Sequence, residues 1–193
     1  MGLINDKVRD DHPLTPERIS QLRIDYPAYN ENPELVDMKA PTFEEIIKEV
    51  DSVIVGRVVR ELPPYEVDLS PLLQPELRAK GNASGISSRH QFHQVEIEVV
   101  RHISGKPVDQ KIPLAYHAMF EGYEPKLKSG MNIVVGIASG SGVHQGKHFF
   151  TRFGTYYIVD DEYVLSAVDD AFSQQMNGQK LERLIAKIKE IRE

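Results

Sequence analysis

The stretch QFHQVEIEVVRHISG, residues 91–105, decides the fold. Val95, Ile97 and Val99 alternate with Gln94, Glu96 and Glu98, the period of two that marks a half-buried strand. Such a strand needs partners, and the β-rich runs around it supply them. Upstream, VIVGRVV at residues 53–59 is apolar on both sides, as in a central strand covered on both faces. Gly56 within it marks a bend or bulge, and Pro63-Pro64 is expected to end it. Downstream, Ser104-Gly105-Lys106-Pro107 reads as a turn and residues 111–117 as a third strand, with Ile112, Leu114 and Tyr116 on one face. Pro113 places part of that strand at an edge or bulge. Residues 131–138 form a fourth strand, residues 148–159 one long aromatic strand, and residues 163–166 a short return.

Helices are expected at both ends of this set. Thr15 followed by Pro16 is a helix start, with proline at the first helical position. Thr42 with Glu45 fits a capping box opening a helix over residues 43–50. Near the C-terminus, Leu181, Leu184, Ile185, Ile188 and Ile191 form an amphipathic stripe that either packs on the strands or docks on a partner. The expected fold is therefore mainly β: a small closed antiparallel OB-like barrel of five to six strands, with a short N-terminal helix and a C-terminal amphipathic helix. The expected layout is an arm over residues 1–41, the barrel over 42–170 and the terminal helix over 171–193. Tyr26, Tyr29, Leu35 and Met38 would lay the arm on the barrel. Residues 61–90 would be a long loop, in which Leu72, Leu73 and Leu77 seat one helical turn.

Bulk properties restrict the function. The 193 residues fit one ordinary domain with extensions. A net charge of −6 with no basic block disfavours nucleic acid and anionic membrane surfaces as partners. The absence of cysteine excludes disulfides, thiolate metal sites and cysteine nucleophiles. No run of 18 apolar residues is available to span a membrane, and no signal peptide is visible; removal of an export signal ahead of Met1 is compatible with the sequence.

Several short motifs resemble OB-like barrel domains of exported bacterial proteins. DSVIVGRV at residues 51–58 looks like their D-x-V-V-x-G-x-V opening, and EVVRHISG at 98–105 like a strand ending in E-V-L-K-G, longer by a few residues. LKSG at 127–130 ahead of the fourth strand, and GTYY at 154–157 with Val159 and Val164, resemble the later strands. The likeness spans roughly residues 50–166 and extends in barrel order to the tissue inhibitors of metalloproteinases and netrin modules. It implies a fold and an extracytoplasmic or cell-surface setting. It carries over no functional residue, because those inhibitors bind zinc through an N-terminal cysteine and this chain has none.

Candidate chemistry is sparse. His90 and His93 fall on opposite faces of a strand. His144 and His148, joined by His117 from another strand, form the one candidate metal set, which would make the chain a metal-binding protein or a metal-dependent hydrolase. GSGVHQGKH at 140–148 lacks the phosphate-loop spacing, and GIASG at 136–140 is out of register with a nucleophile elbow. Asp160, Asp161, Glu162, Asp169 and Asp170 read as turn and cap residues. Phe149, Phe150, Phe153, Tyr156 and Tyr157 exceed what one barrel face buries, so Phe150, Arg152, Tyr156 and Tyr157 are the candidate ligand face. The leading expectation is a non-catalytic binding module without a cofactor, a monomer or weak dimer, whose partner is an unknown protein or small ligand. A third alternative is an accessory subunit docking through residues 178–192.

Overall fold

The computed structural model describes residues 12–30, 39–70 and 88–193. Leu35, Met38 and the Leu72–Leu73–Leu77 turn expected from sequence lie outside these residues. The described elements, in chain order, are α1 (Pro16–Leu22), α2 (Phe43–Glu49), β1 (Ser52–Asp68), β2 (Arg89–Gly105), β3 (Lys111–His117), β4 (Asn132–Ser139), β5 (His148–Phe149), β6 (Thr155–Val159), β7 (Tyr163–Ser166), α3 (Ala171–Met176) and α4 (Leu181–Arg192).

The fold is mainly β. Seven strands form one sheet in the order β1-β2-β3-β5-β4-β6-β7, and β1 also pairs with β4. The second pairing joins β1, β2, β3, β5 and β4 in a ring. All ladders are antiparallel except β3 with β5, where Leu114 faces His148 and Ala115 faces Phe149 in parallel register. That parallel contact departs from the all-antiparallel expectation, as does the strand count.

The two-sided character of residues 53–59 comes true in packing. Ile54 and Val58 point into the ring with Ile97, Leu114, Ile133 and Tyr157. Val53 and Val55 point the other way, into a second core with Phe43, Ile47, Tyr156, Leu184 and Ile188, under α2 and α4. The helical stripe of α4 is thus spent on the sheet: Leu184, Ile185 and Ile188 are buried, which leaves the docking-subunit expectation without its free face. Gly56 lies where the β1–β2 register slips, next to Val55, and a Cβ there would come 2.4 Å from Ile97 Cγ2. It is this close approach that requires glycine.

Both anticipated N-caps form. Thr15 Oγ1 accepts from Arg18 N–H at 3.2 Å. Thr42 and Glu45 exchange two bonds in the capping box, at 2.8 and 3.2 Å. At the other end of α2, the Arg192 guanidinium reaches over from α4 and donates to Ile47 O and Val50 O, 2.5 and 3.0 Å away. The arm is anchored as expected by Tyr26, whose ring lies 5.4 Å from that of Tyr157, and Tyr157 donates its hydroxyl to Pro27 O at 2.9 Å.

Three expectations are corrected. Pro63-Pro64 does not end the first strand, because β1 runs on to Asp68 and pairs with β2 as far as Arg89. The ladder with β4 ends at Arg57, and the β2 register slips between Leu62 and Tyr65, so neither proline is asked for a ladder N–H. Pro63 O instead accepts from Gln94 Nε2 at 2.7 Å. The supposed long loop over 61–90 is therefore strand at both described ends. The aromatic strand over 148–159 is broken: β5 is two residues long, and a 3-10 turn at Arg152–Gly154 separates it from β6. Finally, the terminal helix expected over 171–193 is divided: α3, with Asp170 as its N-cap, ends at Met176, and α4 starts only at Leu181. No helix among the described residues is long and apolar enough to cross a membrane.

Candidate functional site: an aromatic cleft beside the strand ring

The break between β5 and β6 builds the site. β5 ends at Phe149, and the chain turns through Phe150, Thr151, Arg152 and Phe153 before re-entering the sheet. That turn faces the end of β3 and the 3-10 turn at Ala118–Phe120. Between them lies a cleft of about 390 Å³ lined by Phe92, Tyr116, His117, Phe120, Glu124, Phe149, Phe150, Thr151, Arg152 and Phe153, with Lys39, Ala40 and Pro41 alongside. Five of the seven phenylalanines of the chain are in this wall. The other two, Phe43 and Phe172, stack on each other at 4.8 Å in the helix-covered core.

The rings hold one another edge-on. Phe92 meets His117 at 5.0 Å and 72°, and Phe149 at 5.8 Å and 67°. Tyr116 meets Phe150 at 6.0 Å and 89°. Behind Phe92, Tyr65 stacks at 5.2 Å and 13°, and its hydroxyl lies 3.1 Å from His144 Nδ1. Lys147 Nζ caps the Tyr65 ring at 4.8 Å and donates to Gln94 Oε1 at 2.8 Å. The 140–147 loop is thereby fastened to the β1–β2 ribbon that carries Phe92.

A buried ion pair forms part of the lining. Glu124 Oε2 accepts the Arg152 backbone N–H at 2.6 Å, and Glu124 Oε1 accepts from Nη1 at 3.3 Å. The side chains are only 5% and 3% exposed, and the guanidinium lies 4.3 Å from the Phe153 ring centre. Burial outweighs these contacts and pushes the Glu124 carboxyl up from 4.5 to about 7. Tyr116, Glu124 and Phe150 also line a second, more polar cleft of about 650 Å³ that reaches Glu61, His93, Lys126 and Lys128.

Of the residues expected to form a ligand face, Phe150 and Arg152 are in the cleft wall. Tyr156 and Tyr157 are each 1% exposed. They are neighbours on β6, a strand covered on both faces, so Tyr156 goes under Phe43 and Tyr157 into the ring. Neither belongs to the cleft. The expected metal set is not assembled: among the described residues no group of three or more histidine, aspartate or glutamate side chains is placed to hold a metal ion. His117 Nε2 bonds His90 Nδ1 at 2.8 Å, and His117 Nδ1 accepts the Met119 N–H at 3.0 Å. A neutral imidazole that ligates through Nε2 carries its proton on Nδ1, and Met119 N–H occupies that position. His144 is engaged with Tyr65. His148 lies in β5 between Leu114 and Ser139. Burial lowers all three histidines below their ordinary value, which favours neutral rings.

Sequence reasoning missed Phe92, Phe120, Glu124 and the His90–His117 pair. Phe92 and His117 are partners in the β2–β3 ladder, so a register for residues 92–98 against 111–117 was the signal that could have found them. Glu124 sits in a turn rich in charge and glycine, where a carboxylate reads as solvated. No protein-family model matches this chain, and no curated protein matches it significantly.

Proposed function

We propose that the chain is a non-catalytic binding module whose ligand, an apolar ring-bearing small molecule, occupies the aromatic cleft. The observation that carries this reading is the convergence of five of seven phenylalanines on one open cavity, Phe150 from the edge of the ring core and the other four from outside both cores. Apolar concave sites with a few placed polar groups are the usual form of small-molecule sites. The polar groups here are tied to one another, Glu124 to Arg152 and His117 to His90 and Met119 N–H, an arrangement that supports binding rather than proton transfer to a substrate. In this reading the strand ring is an OB-like barrel of the kind the sequence resembles, working at the bacterial cell surface.

The test is titration with N-phenyl-1-naphthylamine, a neutral dye that brightens in apolar sites. The chain contains no tryptophan to compete in the spectrum. Saturable brightening that Phe120→Ala weakens, with Phe172→Ala as the control, is the expected result. Brightening that is absent, or that responds equally to both variants, overturns the reading.

A further inference from the structure

The cleft's Phe120 wall is held by a chain of three groups whose protonation states follow from one backbone amide. Met119 N–H can only donate, so the His117 Nδ1 it meets at 3.0 Å carries no proton. A neutral His117 then carries its proton on Nε2, which lies 2.8 Å from His90 Nδ1. His90 Nδ1 must accept and is bare, so His90 holds its proton on Nε2. His117 is at the same time the N-cap of the Ala118–Phe120 turn, and Phe120 O accepts the N–H of Glu124 at 3.0 Å. One imidazole thus fastens the end of β3, the turn that presents Phe120, and the segment that presents Glu124.

Resting on the ligand reading above, we propose that the His90–His117 pair is a proton latch on the cleft: it holds the Phe120 wall closed when both rings are neutral, and protonation of either ring releases it. The chemistry is steric and electrostatic. A proton added to His117 Nδ1 faces Met119 N–H, and a proton added to His90 Nδ1 faces His117 Nε2–H. Each addition sets two donors head to head at a distance made for one hydrogen bond. Among the described residues, no charged group is bonded to either ring: β2 brings His90 and Phe92, the 3-10 turn brings Met119 N–H and Phe120, whose ring lies 6.4 Å from that of His117, and Glu121 after it pairs with His93. From β1, Val67 stands opposite His90, while Glu66 pairs with Arg89 and Asp68 accepts the Ser70 N–H. His144 packs on the far side of Phe92 at 4.7 Å, and Tyr116, next in chain, turns its ring to His93 and Phe150. Burial and the neighbouring His90 both lower His117 below its ordinary value. Of the other titratable groups in the cleft wall, Glu124 titrates near neutrality and so needs its own control.

The experiment measures dye affinity and His tautomers together. Dye titrations at about pH 8 and about pH 5.5 bracket the ordinary histidine range. They are run on wild type, on Glu124→Gln and on His117→Asn, in which Asn Oδ1 keeps an acceptor for Met119 N–H but cannot titrate. The latch predicts that acidification weakens binding roughly tenfold, the scale of one to two lost hydrogen bonds, in wild type and Glu124→Gln, and leaves His117→Asn unchanged. Equal pH dependence in wild type and His117→Asn overturns it. In parallel, ¹⁵N spectra of wild type at about pH 8 should show bare Nδ1 on both His90 and His117, and the Met119 amide should shift as His117 titrates. A protonated Nδ1 on either ring, or a Met119 amide that ignores the titration, overturns the latch even if the dye binds nowhere, a result that by itself counts only against the ligand reading.

Discussion

Glu124 should make the protein less stable as the pH rises, and Glu124→Gln should remove that loss. In the folded chain the carboxyl titrates at about 7, against 4.5 when it is unburied. Its pKa is raised on folding, so the native state holds a proton between these values that the unfolded state has released. The contribution is therefore fully present below about 4.5, falls as the pH rises through the window, and is gone above about 7. At roughly 1.4 kcal/mol per pKa unit the full span is about 3 kcal/mol. For a chain of this size it corresponds to roughly 6–12 °C in Tm. Asp51 and Asp160, lowered by their bonds to Lys106 and Arg18, contribute in the opposite direction, as do the lowered histidines, whose stabilisation is lost in acid. The informative quantity is thus the difference between wild type and Glu124→Gln, followed by urea unfolding with circular dichroism across the window. Glutamine keeps a carbonyl oxygen for the Arg152 N–H and cannot ionise. Wild type should lose about 3 kcal/mol relative to the variant between the two ends of the window. Parallel curves would refute the claim that burial dominates over Arg152 at this site.

Three further outcomes follow from the packing. Gly56→Ala should destabilise by about 1–3 kcal/mol through overpacking, because its Cβ meets Ile97 Cγ2; adding Ile97→Ala should recover part of this in a double-mutant cycle read by urea unfolding. Arg192→Ala removes the donors to Ile47 O, Val50 O and Ser104 Oγ and should cost about 1–3 kcal/mol, with faster amide exchange at the end of α2. Tyr157→Phe deletes the bond to Pro27 O, costs about 1 kcal/mol, and should speed hydrogen exchange of the Tyr26 and Tyr29 amides more than that of β4.

What could be read from the sequence was whatever depends on local pattern. The alternation through Val95, Ile97 and Val99, the two-sided run at 53–59 and the Thr42–Glu45 box each specify their own backbone, and each is found in place. What depends on pairing was hidden. Pro63 and Pro64 look like strand breakers until a register slip and an unpaired edge excuse them from the ladder. Tyr156 and Tyr157 look like surplus aromatics until two separate cores take one each. The candidate site was legible only in part for the same reason. Phe150 and Arg152 were recognisable as aromatic-strand residues with no obvious core role, but Phe92, His117 and Phe120 come together through the β2–β3 register and the turn after it. The buried state of Glu124 was invisible, because it is decided by Arg152, 28 residues away along the chain.

The most direct test of the aromatic cleft as a ligand site uses protein labelled with ¹³C at phenylalanine and titrated with N-phenyl-1-naphthylamine. Seven ring signals divide into two groups by position. The account predicts saturable shifts for Phe92, Phe120, Phe149, Phe150 and Phe153, which line the cleft, and none for Phe43 and Phe172, which stack in the helix-covered core. Shifts that spare the five cleft rings, or that fall equally on Phe43 and Phe172, would contradict it.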